Sequence, residues 1–274
     1  MILEINSLSN PKIKEIAKLS KDGQLRQEKN IIIVDGKREI LEAIKNKWEL
    51  EEFFYCLDFI DKKEKIEDDI KVERIIKLAN KSYKLSSKAF DKISYKKNPD
   101  GFLAILKTKK INLNDIKLKE DPLVLVLESV EKPGNLGGII RTAYASGIDL
   151  IILNDQKTDV FSPNVIRSST GFIFSTPLVI ASLDDTYNWL IKNKIQILST
   201  SIKAKQSHFL TDFKKASAII FGTEAFGLTD QWLKKKTTAI KIPMISGVDS
   251  LNVSVSVGII IYEAMRQRLK FKNK

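Results

Sequence analysis

Three glycine-containing segments in the second half of the chain each follow a short apolar run, and this arrangement constrains the fold most. They are Asn135-Leu-Gly-Gly-Ile-Ile-Arg141, Phe221-Gly-Thr-Glu-Ala-Phe-Gly-Leu228 and Ile242-Pro-Met-Ile-Ser-Gly-Val-Asp-Ser-Leu-Asn-Val-Ser254. Apolar runs that are too short for a helix are typical of buried parallel strands. Because parallel strands end at one edge of a sheet, the three segments would converge on a single crevice.

The second half of the chain alternates strand-like and helix-like patterns. Strands are predicted at residues 123–127, 150–153, 195–198, 218–221 and 239–242, and helices at residues 137–146 and 254–269. This alternation predicts an open α/β sheet with helices on both faces.

The first half predicts a smaller α/β domain over residues 1–108. Its patterns indicate a helix after Asn10-Pro11, a strand at 30–34, a helix at 37–47 and further strands at 53–55 and 102–106. The polar segment 109–120, which lies just before Pro122, is predicted to be a linker. Residues 121–274 then form the second predicted domain.

Charge and composition narrow the classes of partner. The chain of 274 residues has 46 Lys and Arg against 34 Asp and Glu, a net charge of +12. This excess favours a polyanionic partner such as nucleic acid, although a solvated lysine-rich surface is the alternative. No run reaches the roughly 18 apolar residues of a membrane span, and the first residues do not resemble a signal peptide. A lone Cys56 and a lone His208 argue against a disulfide and a zinc site, and we expect a cytoplasmic protein.

Polar residues within the glycine segments are the candidate functional groups. Asn135 is predicted to cap the helix that follows it, and Arg141 is expected to reach back towards the loop. Arginine is scarce in this chain, with seven Arg against 39 Lys, so Arg141 indicates a need for a planar group that binds phosphate or carboxylate. A capped helix with one exposed arginine is the alternative interpretation.

The second and third segments also allow two interpretations. Glu224 follows a strand and could orient a substrate hydroxyl or amine, or it could lie in the first turn of a helix at 229–235. Ser250, Asn252 and Ser254 precede the last helix, where serine and asparagine are common caps. Three such segments at one sheet edge favour a binding site.

The three segments resemble the three motifs of the SpoU (TrmH-type) branch of the SPOUT RNA methyltransferases. Ser162-Pro-Asn-Val-Ile-Arg-Ser-Ser-Thr-Gly171 also resembles the part between the first two motifs, and the resemblance covers about residues 121–268. Residues 1–106 are similar, more weakly, to the small substrate-binding domain that often precedes this catalytic domain. Thr223 and Ala225 depart from the second motif, which often has Asn and Gly there.

The resemblance implies a SPOUT-type parallel sheet with a deep trefoil knot, preceded by a small α/β substrate-binding domain. It also implies an obligate homodimer that transfers methyl groups from S-adenosylmethionine to a ribose 2′-hydroxyl of RNA, with ribosomal RNA preferred. The cofactor-binding residues that it implies are Thr200, Gly222, Ile242, Met244 and Leu251. The catalytic and substrate-positioning residues that it implies are Asn135, Arg141, Glu224, Ser250 and Asn252.

Other functions stay open at the level of sequence. A transfer RNA substrate and an RNA-binding protein that has lost catalysis both fit the basic composition. A nucleotide-binding oxidoreductase is a further alternative, since Gly134-Asn-Leu-Gly-Gly138 follows a strand and Asp155 follows the next one. The Gly-x-Gly-x-x-Gly spacing of dinucleotide sites is absent, however.

Overall fold

A computed structural model of the protein describes residues 2–60, 72–223, 227–245 and 249–269. The contacts within the chain divide it into two compact units. The first unit comprises residues up to 109 together with residues 159–175, and the second comprises residues 110–158 and 176 onwards.

The first unit contains a five-stranded mixed sheet. Its strands are β1 (Ile2–Ile5), β2 (Ile31–Asp35), β3 (Leu50–Tyr55), β4 (Lys81–Leu85) and β5 (Phe102–Lys107). Their order is β1-β4-β3-β5-β2, in which β1, β4 and β3 are parallel and β5 runs antiparallel to both of its neighbours. The helices are α1 (Pro11–Leu19), α2 (Gly23–Glu28), α3 (Lys37–Lys45), α4 (Val72–Leu78) and α5 (Ser87–Ile93).

Within the first unit, the segment 159–175 packs against the residues that precede 109 through aromatic contacts. It contains a short helix at Pro163–Ser168 and a 3₁₀ turn at Phe172–Phe174. The Trp48 ring lies edge-on to the Phe161 and Phe174 rings, at centroid distances of 5.7 and 5.2 Å. The Trp48 indole also donates to the Phe174 carbonyl at 2.9 Å. These contacts attach a segment from the middle of the chain to the N-terminal unit.

The second unit contains a seven-stranded sheet in which every described pairing is parallel. Its strands are β6 (Leu123–Glu128), β7 (Leu150–Asn154), β8 (Leu178–Ile180), β9 (Gln196–Thr200), β10 (Gln206–Ser207), β11 (Ser217–Phe221) and β12 (Thr238–Lys241). Their order is β10-β12-β9-β11-β6-β7-β8. Its helices are α6 (Pro133–Ser146), α8 (Leu183–Lys192), α9 (Asp230–Leu233) and α10 (Val253–Arg268). The helix at Pro163–Ser168, which belongs to the first unit, is α7.

The central strands of the second sheet are buried on both faces. Every residue of β6 is buried, which explains its continuous apolar sequence. Val124 and Val126 lie in a cluster with Trp189 and Leu190 of α8. Leu125 alternates with them and is also inaccessible to solvent, so it faces the opposite side of the sheet. Burial on both sides is what a sheet with helices on both faces requires.

The predicted fold class is confirmed: a parallel sheet follows a separate small α/β unit. The five strands predicted in the second half are observed, each within two residues of its predicted bounds. Short elements were not predicted, among them β8, β10 and α7. The segment predicted as a linker carries Leu113, Ile116 and Leu118, which pack against the apolar core of the second unit.

Candidate active site

A cavity of about 430 Å³ lies where β9, β11 and β12 end. Its walls come from residues 200–203, 221–223, 227–228, 240–242 and 249–251, with Leu233, Met244, Val253, Ser256 and Ile260. Ligand sites of open parallel sheets form at the carboxyl ends of the strands, and they commonly enclose about 300–1,000 Å³. The second and third glycine segments therefore meet at one cavity.

The five residues predicted to bind a cofactor all line this cavity: Thr200, Gly222, Ile242, Met244 and Leu251. Thr200 is held in place because its hydroxyl donates to the Ile220 carbonyl at 2.9 Å. This bond ties the end of β9 to the end of β11. The assignment of these residues to cofactor binding stays a prediction, although the structure brings them together.

Gly222 allows the second glycine segment to fold tightly over itself. Thr223 and Gly227 exchange two backbone hydrogen bonds, at 2.9 and 3.0 Å, and Gly227 has φ of +72°. A Cβ atom at Gly222 would lie 2.1 Å from the Gly227 carbonyl carbon and 2.3 Å from the Leu228 nitrogen. Backbone atoms cannot come this close, so only glycine fits at position 222 without moving the loop.

Asn252 joins the starts of two helices that lie beside the cavity. Its side-chain oxygen caps α10 by accepting from the Ser254 backbone nitrogen at 2.9 Å and from the Ser254 hydroxyl at 2.6 Å. Its amide nitrogen donates to the Asn135 side-chain oxygen at 3.3 Å. Because Leu251 and Val253 both line the cavity, this pair of amides lies close to it.

The helices α6 and α10 pack closely through their glycines. A Cβ atom at Gly138 would lie 3.9 Å from the Ser254 Cβ, and one at Gly258 would lie 3.8 Å from the Thr142 methyl. These are ordinary contact distances, so alanine would fit and a longer side chain would push the helices apart. The close packing fixes the spacing between the first and third glycine segments.

The other predicted catalytic residues differ in their positions. Ser250 is exposed and lines the cavity. Arg141 is exposed on α6, does not line the cavity and makes no hydrogen bond or ion pair with any described residue. Glu224 lies outside the described residues. The prediction that Asn135 caps the helix is wrong, because α6 begins at Pro133 and places Asn135 within the first turn.

Sequence reasoning missed Glu128, the last residue of β6. Glu128 is 3% exposed, and its carboxylate accepts from the Thr229 backbone nitrogen at 2.9 Å and from the Thr229 hydroxyl at 2.7 Å. These bonds hold the chain just after the second glycine segment against the middle of the sheet. A carboxylate that ends an otherwise apolar strand is the signal that could have revealed it.

Comparison with known proteins decides the family. The model of the SpoU rRNA methylase family matches residues 122–262, which include all three glycine segments. The chain belongs to this family. An MRM3-like substrate-binding domain matches residues 10–104.

Individual relatives agree with this assignment over nearly the whole chain. An uncharacterized tRNA/rRNA methyltransferase of Synechocystis is 30% identical to this chain, and the alignment covers 97% of this chain and 95% of the relative. The 23S rRNA (guanosine(2553)-2′-O)-methyltransferase RlmP of Bacillus subtilis is 26% identical over 94% of this chain and 98% of its own. The AdoMet-bound rRNA methyltransferase structure from Sinorhizobium meliloti is 27% identical, with a TM-score of 0.87, and covers 98% of this chain and 99% of that one. The predicted family, enzyme class and methyl donor are confirmed.

The residues around the cavity suit S-adenosylmethionine. The cavity lining combines apolar residues such as Phe221, Leu228 and Ile260 with the charged Lys203 and Asp249, which is compatible with a ligand that has both an aromatic ring and charged groups. Among the described residues no group of three or more His, Cys, Asp or Glu side chains is placed to hold a metal ion. Within the same residues, none of the helices has the length and apolar character needed to cross a bilayer.

Proposed function

We propose that this protein transfers the methyl group of S-adenosylmethionine to a ribose 2′-hydroxyl of 23S ribosomal RNA. The observation that carries the proposal is the cavity at the ends of β9, β11 and β12, around which all five predicted donor-binding residues lie. The relatives support the choice of RNA, since RlmP of Bacillus subtilis and RlmB of Vibrio cholerae are named as 23S rRNA 2′-O-methyltransferases.

Methyl transfer depends more on how the donor and the ribose are positioned than on a strong acid or base. The bound donor supplies an electrophilic methyl group, and the residues that would hold it are Thr200, Gly222, Ile242, Met244 and Leu251. The ribose 2′-oxygen must lose its proton and lie in line with that methyl group. We assign the positioning of the ribose to Ser250, Glu224 and the Asn135–Asn252 pair, because Ser250 lines the cavity and Asn252 is flanked by two lining residues.

Arg141 is the residue that we expect to bind the RNA backbone next to the reacting ribose. Its guanidinium is exposed and has no partner among the described residues, so it is available to a phosphate. Free arginine is a poor base, because its pKa lies above about 12. We therefore assign Arg141 to phosphate binding and to stabilisation of the developing alkoxide, whether or not it also takes the proton.

Arg141→Lys tests this role. We expect methyl transfer to fall by about 10- to 100-fold, because lysine keeps the charge but loses the two-pronged contact. Binding of S-adenosylmethionine, measured by calorimetry, should not change. Arg74→Lys is the matched control, since Arg74 is also exposed and has no partner among the described residues. If Arg141→Lys kept most of its activity, the argument from guanidinium geometry would be wrong.

The target is identified by mapping 2′-O-methyl groups in RNA from cells with and without this protein. Loss of one mark in 23S rRNA is the expected result. Loss of a 2′-O-methyl group in transfer RNA would show that the substrate is transfer RNA instead. An unchanged map, together with no affinity for S-adenosylmethionine, would leave a non-catalytic RNA-binding protein as the better account.

We also propose that the chain is a cytoplasmic homodimer with a deep trefoil knot. Tyr144 of α6 and Val255 and Tyr262 of α10 are exposed on helices that pack together, which supports a dimer interface on these two helices.

The insertion of β12 between β9 and β10, which both precede it in the chain, supports the knot. A ribosomal RNA substrate supports the location. Light scattering of the purified protein tests the dimer, and a monomer at micromolar concentration would overturn it.

A further inference from the structure

In the first unit, a buried carboxylate fixes the loop that follows α5. Asp35 lies at the end of β2, and one of its oxygens accepts from the Ser94 hydroxyl at 2.8 Å, the Tyr95 nitrogen at 2.6 Å and the Lys96 nitrogen at 3.1 Å. Burial raises the pKa of Asp35, and these hydrogen bonds oppose that rise. The other oxygen is buried without a hydrogen-bond partner among the described residues. Three donors from consecutive residues on a single oxygen nevertheless hold this loop in one position.

The fixed loop presents an aromatic ring to solvent. Tyr95 is 45% exposed as a residue, although its backbone nitrogen is held by Asp35. Its hydroxyl is also held, by a 2.9 Å hydrogen bond to the side-chain oxygen of Asn164 on α7. A ring that is fixed at both ends loses little conformational freedom when it contacts a ligand. Exposed aromatic rings next to positive charge are the usual stacking surfaces for unpaired bases.

Two arginines on neighbouring elements are available to phosphates. Arg38 is exposed on α3, with its guanidinium 5.8 Å from the centre of the Phe172 ring. Arg167 is exposed on α7, one turn from Asn164 and therefore on the same side of that helix. Among the described residues, neither guanidinium has a hydrogen bond or an ion pair. Arg26, Arg266 and Arg268 of the same chain are all hydrogen-bonded within it.

These side chains lie on elements that meet at the start of α3. A Cβ atom at Gly36 would lie 2.2 Å from the Lys96 side-chain nitrogen, so the Lys96 side chain lies over this glycine. A Cβ atom at Gly171 would lie 2.9 Å from the Glu39 Cα, so the segment after α7 covers the first turn of α3. Lys96 itself is turned inward, to Asp100 at 2.8 Å and Glu39 at 3.7 Å. Arg38 and Arg167 are exposed instead, as are Lys92 and Lys97 near the same loop.

We propose that Tyr95, Arg38 and Arg167 form an RNA-contact surface on the first unit. Tyr95 stacks on an unpaired base, and the two arginines bind the phosphates on either side of it. The partner is therefore a loop or single-stranded part of RNA. This inference rests on the proposed function, because it takes the methylated RNA to be the ligand, and it adds residues that lie outside the methyl-transfer cavity.

The test measures binding of the full-length protein to unmodified 23S rRNA made by transcription in vitro, at several salt concentrations. Tyr95→Leu should weaken binding by roughly 5- to 150-fold, the range for loss of one stacked base. Tyr95→Phe keeps the ring but loses the hydrogen bond to Asn164, so its affinity should lie between those of the wild type and Tyr95→Leu. Arg38→Ala and Arg167→Ala should each reduce the slope of log affinity against log salt by about 0.7.

Arg74→Ala is the matched control, because it removes an exposed arginine without a described partner from a different helix of the same unit. It should leave affinity and salt slope unchanged. In methylation assays Tyr95→Leu should raise KM for RNA and leave kcat and S-adenosylmethionine binding unaltered. A wild type that binds no S-adenosylmethionine would refute the proposed function instead of this surface.

A second measurement does not depend on the folding of any variant. Hydrogen exchange of the wild type with and without the same RNA should show protection at residues 94–96 and 163–168. Unchanged exchange in both segments, or Tyr95→Leu and Arg167→Ala variants that bind RNA like the wild type, would overturn the surface. So would an equal loss of affinity in Arg74→Ala, which would indicate general charge attraction.

Discussion

Replacement of Gly222 by alanine tests how the second glycine segment shapes the cavity. The added Cβ would lie 2.1 Å from the Gly227 carbonyl carbon and 2.2 Å from its oxygen, whereas ordinary contact begins at 3.4 Å. The loop must therefore move by about 1 Å. Such a shift would stretch the two hydrogen bonds between Thr223 and Gly227, now 2.9 and 3.0 Å, beyond bonding distance.

Each of these backbone hydrogen bonds contributes about 0.5–1.5 kcal/mol, so the loss is about 1–3 kcal/mol. Because the moved residues line the cavity, we expect the same penalty in donor binding. Gly222→Ala should therefore weaken the affinity for S-adenosylmethionine by roughly 5- to 150-fold in calorimetry, since 1.4 kcal/mol is a factor of ten.

Gly134→Ala is the matched control for this prediction. Gly134 lies in α6, and a Cβ atom there would meet no atom within 4 Å. Alanine is favoured over glycine in helices by about 0.5–1 kcal/mol, so this variant should be slightly more stable and bind the donor normally. A Gly222→Ala protein that binds S-adenosylmethionine within about twofold of the wild type would show that the loop yields freely, and the reasoning would fail.

Three further substitutions probe the surroundings of the site. Glu128→Gln leaves one of the two Thr229 donors without an acceptor, and urea denaturation should show a loss of about 1–3 kcal/mol in the free energy of unfolding. Asn252→Ala removes the cap of α10 and should cost about 0.5–2 kcal/mol in the same assay; an unchanged midpoint would contradict the role of this cap. The hydrogen bond from Arg266 lowers the pKa of Glu263 from 4.5 to about 2. A lowered pKa stabilises the fold above pH 4.5, so the stability difference between wild type and Glu263→Gln should shrink from pH 6 towards pH 2, and a constant difference would refute this.

The sequence predicted the central strands well because each of them is buried on both faces. The apolar run at 123–127 has no polar residue to disturb it, and β6 occupies that run and one residue more. The strand β8 was not predicted, since it has three residues and its last, Ile180, is 53% exposed. The helix α8 was also not predicted, although its sequence contains a signal for a helix start. Its cap, Ser182, precedes Asp185 by three residues, and the Ser182 side chain accepts a hydrogen bond from the Asp185 nitrogen.

The candidate site was predicted in part, for a similar physical reason. Residues at the ends of parallel strands, such as Thr200 and Gly222, must lie at one edge of the sheet, so their convergence followed from the pattern. Side-chain partners do not follow from periodicity. The pairing of Asn135 with Asn252 joins residues far apart in sequence, and the local signal at Asn135 favoured a cap that the structure does not form.

The position of residues 159–175 shows why contacts between distant segments escape a reading along the chain. In sequence this segment lies between β7 and β8, and nothing in its composition separates it from the second unit. Its apolar groups nevertheless find their partners in the first unit, where Trp48 contacts both Phe161 and Phe174 and donates to a backbone carbonyl. The buried Arg26 adds a 2.5 Å ion pair with Asp159. This segment, which lies in the family-matched region, therefore supplies Arg167, one of the three residues of the proposed RNA surface, and Asn164, which holds the hydroxyl of Tyr95.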